Sequence, residues 1–147
     1  MSLPLWMLLG FCGWTFTLLG VGVGVWRWAL IFAGSAAITD FPADRPHGGD
    51  GYRRVVRAHA NCLETLPVFA VVVLITEMIH VHGRLLDTLA CTVMVARVLQ
   101  SSVHILFVER SRTVATRFSL FLIQFVAIVW MGAFVASHAI SLGHGAP

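Results

Sequence analysis

The chain has 147 residues, 58% of them hydrophobic and only 12% charged, about half the charge of an ordinary soluble domain. Its formal charge of +3 is carried by ten basic residues, all arginine, and they form no continuous exposed patch, which argues against nucleic acid as a partner. Several apolar runs of about 20 residues instead define an all-α integral membrane bundle with four transmembrane helices, in one domain over residues 1–147.

The first run, from about Leu5 to about Ala37, lacks a basic n-region and is read as a retained span. Trp6, Trp26 and Trp28 mark its interfaces, and Arg27 is placed to snorkel between the last two. Inside it, GVGVGV sets Gly20 and Gly24 four residues apart, which fits close helix packing better than a phosphate loop. TDFPADRPHGGDGY follows, Thr39 to Tyr52, a polar loop by its prolines, glycines and aspartates. His47 and Asp50 are read there as solvated residues, and no metal site is expected.

The second helix is predicted from about Gly51 to His82, kinked at Pro67 and stopped by Gly83 in HVHGR. The third is predicted from about Leu85 to Val108 and the fourth from about Val114 to Leu142, with ERSRT between them and a frayed GHGAP tail. Cys12, Cys62 and Cys91 fall inside apolar segments and read as small hydrophobes, with no disulfide framework. Arg45, Arg53, Arg54 and Arg57 flank the first connection, and Arg110, Arg112 and Arg117 the third. The positive-inside rule puts those connections in the cytoplasm and both termini outside.

The charge at the start of the second helix is ordered. Arg54, Arg57, Asn61 and Glu64 follow one another at steps of three, four and three, which keeps them on one helical face. On the third helix, Arg97, Gln100 or Ser101, and His104 share a face near mid-span. Arg97 lies about twelve residues from either end, too deep to snorkel. An ion-pair lock, with Glu64 satisfying Arg57 or Arg97, is one reading. Counting opposes it: Arg54, Arg57, Arg97 and Arg112 face one obvious intramembrane acid, Glu64. Surplus guanidinium charge in a low-dielectric cavity attracts an anionic ligand that carries carboxylates.

RRVVRAHANCLETLPVF, from Arg53 to Phe69, resembles the signature of the membrane-associated eicosanoid and glutathione metabolism (MAPEG) family. That pattern runs Glu-Arg-x-x-Arg-Ala-His-x-Asn-x-x-Glu and is followed soon by Pro. ARVLQSSVHI in the third helix and SRTVATRF entering the fourth extend the resemblance over nearly the whole chain. The family includes microsomal glutathione transferases, prostaglandin E synthase, leukotriene synthase and the five-lipoxygenase-activating protein.

The resemblance implies a homotrimer of left-handed four-helix bundles in the lipid bilayer, with glutathione as cofactor between subunits on the cytoplasmic side. Carried over by position, Arg57, Asn61 and Glu64 hold glutathione with Arg54 nearby, and Arg97 grips a carboxylate. Arg112 lies near the sulfur with Thr113 beside it, while His59 is structural. His104 falls at a cofactor-binding position where glutathione-binding members usually have Tyr. Arg53 stands where the family often has Glu, Ala60 where some members have another Arg, and Gln100 where His is common.

The implied activity is a glutathione-dependent transferase or peroxidase of the bacterial inner membrane, acting on a hydrophobic electrophile or lipid hydroperoxide. The alternative is a non-catalytic, lipid- or glutathione-binding scaffold, which the His104 and Ala60 departures favour. A channel or transporter fits less well, because the arginine stripe lies toward one side.

Overall fold

The computed structural model describes residues 1–41 and 48–144, the last three by their helical backbone alone. Arg45 and His47, and with them half of the HGGD reading, lie outside the described residues, as does the end of the GHGAP tail from residue 145 on. Among those described there is no strand, and four helical stretches are long and apolar enough to cross a membrane.

The first stretch, Leu3–Phe32, is built from three pieces. Helix α1 (Leu3–Thr17) starts at Ser2, whose hydroxyl accepts the Leu5 N–H at 3.4 Å, with a proline in the first turn where its missing N–H is harmless. A π-helical segment, Leu18–Val25, leads into α2 (Trp26–Phe32). The π segment coincides with LLGVGVGV, where glycine and β-branched valine alternate and α-helical preference is weak. The glycine that touches a neighbouring helix is Gly22, where an added Cβ would collide with the Val55 side chain. Gly20 has open space and Gly24 meets only the Leu19 carbonyl, so the expected Gly20–Gly24 contact face is not used within this chain.

Helix α3 (Asp50–Met78) continues through Pro67. It ends before the expected stop at Gly83. His80 takes a left-handed backbone (φ 55°), its N–H reaches the Glu77 carbonyl, and the Val81 N–H reaches the Thr76 carbonyl, both at 3.1 Å. This is a Schellman closure made by histidine, one of the few side chains that visit that region readily. Helix α4 (Arg84–Leu106) and helix α5 (Ser111–His144) complete the bundle.

Helix α4 is the central element and packs against α1, α3 and α5. The core gathers Phe11, Cys62, Phe69, Val73, Leu86, Val93 and Met131 from these helices. Yet only 22–39% of each span is buried. Phe118, Phe121, Phe125 and Trp130 stand exposed along α5. In water such a surface would be an adhesive patch; against lipid tails it is matched to its solvent.

Polar contacts close both ends of the bundle. Ser2 donates to Glu77 at one end. At the other, Arg27 donates to the Tyr52 hydroxyl at 2.6 Å and its guanidinium stacks over the Tyr52 and Phe41 rings. The expected snorkelling of Arg27 is thus replaced by a clasp between α2 and α3. At this same end Arg54 donates from Nε to the Ile105 carbonyl at 3.1 Å. That carbonyl belongs to the last turn of α4, where a cation also complements the helix dipole.

Candidate functional site

Among the described residues, two cavities with polar linings lie at this arginine-rich end. The deeper one, about 260 Å³, is lined by Asn61, Glu64 and Thr65 of α3, Arg97, Gln100 and His104 of α4, and Val114, Arg117, Phe118 and Phe121 of α5. The shallower one, about 250 Å³, is lined by Asp50, Arg53, Arg54, Arg57, Val108 and Glu109. The expected stripe on α3 is therefore divided between them. Arg54 and Arg57 serve the shallow pocket; Asn61 and Glu64 serve the deep cavity. Ten residues of helix span about 15 Å, so one stripe covers both depths.

Arg97 is the anchor of the deep cavity. It is 1% exposed, and its position on the innermost helix follows from an α4 face that places Arg97, Gln100, Ser101 and His104 at helical spacing. Its Nη2 donates to the Thr65 hydroxyl. Thr65 donates its own proton to the Asn61 carbonyl at 3.2 Å, which turns an oxygen lone pair toward the guanidinium. The Arg97 carbon lies 5.3 Å from the Phe11 ring centre, a cation–π contact, worth about 2 kcal/mol where water is excluded. Nε of Arg97 has no partner within hydrogen-bond distance, and the side chains that act on its charge are Cys62 and Glu64. Among the described residues Arg97 forms no ion pair.

The lock between Glu64 and Arg57 or Arg97 is absent among the described residues. Glu64 lines the cavity but is exposed in the single chain and pairs with neither. The acid that neutralises Arg57 is Glu109, from the short α4–α5 connection, at 2.7 Å. The same Glu109 oxygen lies 3.7 Å from Nη1 of Arg117.

Arg117 was singled out from sequence only for topology, yet it lines the deep cavity. Its Nη1 lies 3.1 Å from Nδ1 of His104. A guanidinium can only donate, so Nδ1 is the acceptor. Behind Arg117, Gln124 donates to Oε1 of Gln100 at 3.0 Å, and Gln100 donates to the Arg117 carbonyl at 3.1 Å. This relay joins α4 to α5. The lone glutamine in SLFLIQFVAIVW was the sequence signal for it, since a buried amide in an apolar run needs a partner. Thr65 and Glu109 carried no comparable signal.

The structure thus brings Asn61, Glu64, Arg97 and His104 together around one cavity, with Arg54 and Arg57 in the adjoining pocket. Arg112 and Thr113, at the start of α5, line neither, and Arg112 is exposed. Among the described residues no group of three or more His, Cys, Asp or Glu side chains is placed to hold a metal ion.

Four apolar spans around an arginine-lined cavity define a multi-pass integral membrane protein. The chain belongs to the MAPEG family, whose model matches residues 4–137, and this makes it a membrane protein of the glutathione- and eicosanoid-related class. No curated protein and no solved structure matches the chain.

Proposed function

We propose that the protein is a glutathione-dependent membrane transferase or peroxidase, with the tripeptide held in the deep cavity and the adjoining pocket. The observation that carries this reading is Arg97: a fully buried guanidinium that forms no ion pair among the described residues, in a cavity that also holds Arg117 and Glu64. A buried charge of this kind is costly unless a counter-charge arrives. Glutathione supplies two carboxylates for the guanidinium groups and an ammonium for Glu64.

Val114, Phe118 and Phe121 line the cavity and are also accessible from outside the bundle. This supports entry of a hydrophobic electrophile or lipid hydroperoxide from the bilayer. A thiol held beside a guanidinium loses its proton more readily, and the thiolate is the nucleophile. Arg112 takes that role in this reading, with Thr113 donating to the sulfur. Both lie outside the two cavities described, and in the homotrimer of this reading they act across the subunit boundary. The arginine-rich end faces the cytoplasm of an inner membrane.

Stopped-flow absorbance of the thiolate tests the assignment. Arg112→Ala lowers the thiolate signal while leaving glutathione binding close to wild type. Absence of both a thiolate signal and saturable binding in the wild-type protein contradicts the proposal. The non-catalytic reading draws its support from the position of Arg112 outside both cavities; binding without conjugation or peroxidase turnover would select it.

A further inference from the structure

We infer that Glu109 is an internal occupant of the anion site, whose carboxylate fills a position between Arg57 and Arg117 that a ligand carboxylate takes over. The inference rests on the glutathione reading for the identity of the ligand, but not for the existence of the occupied position.

Three observations carry it. First, one Glu109 oxygen lies near two guanidinium groups, 2.7 Å from Arg57 and 3.7 Å from Arg117. Those arginines belong to different cavities, so this carboxylate stands at their boundary. The chain itself shows that the two arginines accept a carboxylate there. Second, the contact is weak enough to exchange. The Glu109 side chain is 49% exposed and that of Arg57 58%, and pairs this open to water are worth at most about 1 kcal/mol. A bidentate ligand carboxylate competes readily with such a pair.

Third, Arg117 keeps its place when Glu109 leaves. His104 holds its Nη1 at 3.1 Å and Gln100 holds its carbonyl. Arg57, by contrast, has no other hydrogen bond among the described residues. Exchange therefore releases Arg57 from its one hydrogen bond among the described residues and leaves Arg117 oriented. Glu109 also lies outside the helices, between Leu106 and Ser111, where its side chain can withdraw without unwinding a helix.

The test compares wild type with Glu109→Gln and Glu109→Ala in detergent. One readout is the glutathione dissociation constant. The other needs no ligand: the rate at which phenylglyoxal modifies each arginine, mapped by peptide mass spectrometry. The expected result is about two- to fivefold tighter glutathione binding, with Arg57 and Arg117 modified faster and Arg97 unchanged. Unchanged modification rates with equal or weaker binding overturn the inference and leave Glu109 a structural tie. Faster modification in both variants, with no glutathione binding in any form, upholds Glu109 as the occupant and removes glutathione as the ligand. A thermal unfolding midpoint for each variant identifies any loss of fold, and Glu109→Gln, which keeps the side-chain shape, is the deciding variant.

Discussion

The two cavities use the same side chain in opposite ways. In the shallow pocket two of the three arginines are engaged: Arg57 with Glu109, Arg54 with the Ile105 carbonyl. In the deep cavity Arg97 is buried against Phe11 and Thr65, with no ion pair among the described residues. Arg57 and Glu109 are about half exposed, so those charges cost little and their pair contributes little. The bundle shields Arg97 from solvent, and there a charge with no ion pair favours an anionic ligand. Depth in the bundle, rather than residue type, separates positioning from binding.

The largest effect is expected where the contrast is strongest. Arg97→Met should weaken glutathione binding by at least about thirtyfold, measured by isothermal titration. The same substitution should leave the thermal midpoint unchanged or raised, because an apolar side chain of similar length replaces a buried charge. A fall in both would erase the distinction between the cavities by making Arg97 a structural residue.

A smaller effect tests how Arg97 is held. Thr65→Val removes its hydroxyl acceptor at constant shape. It should cost about 1–3 kcal/mol of stability, read as a lowered midpoint in detergent. In the shallow pocket Arg57→Ala should change stability by no more than about 1 kcal/mol. Its effect on glutathione binding should shrink at about 1 M salt, where screening acts over about 3 Å, whereas the Arg97→Met effect should persist. The smallest effect belongs to Arg53→Ala, an exposed side chain on the pocket rim. It should shift affinity less than about fivefold, and a larger shift would mean the shallow pocket binds in its own right.

Much of this contrast was readable before the structure. Four spans followed from apolar run length. Arg97 announced itself by its distance from both ends of its span, and the α3 stripe by its spacing. What periodicity cannot convey is how far a stripe extends through the bilayer, so one predicted face became two cavities. Nor does it give the path of a short turn, which is what delivers Glu109 to Arg57 and lets Arg117 meet His104. Glu64 was the obvious acid by sequence distance, but it forms no ion pair among the described residues. The closure that follows α3 at His80 carries no sequence signal, because the left-handed residue is histidine where glycine is the usual marker.

The most direct test of the account is glutathione titration of the purified protein, wild type beside Arg97→Met, with the unfolding midpoint of each recorded. The account predicts saturable binding to wild type and its loss in a variant that is at least as stable. Equal binding by both proteins, or none by wild type, would contradict it.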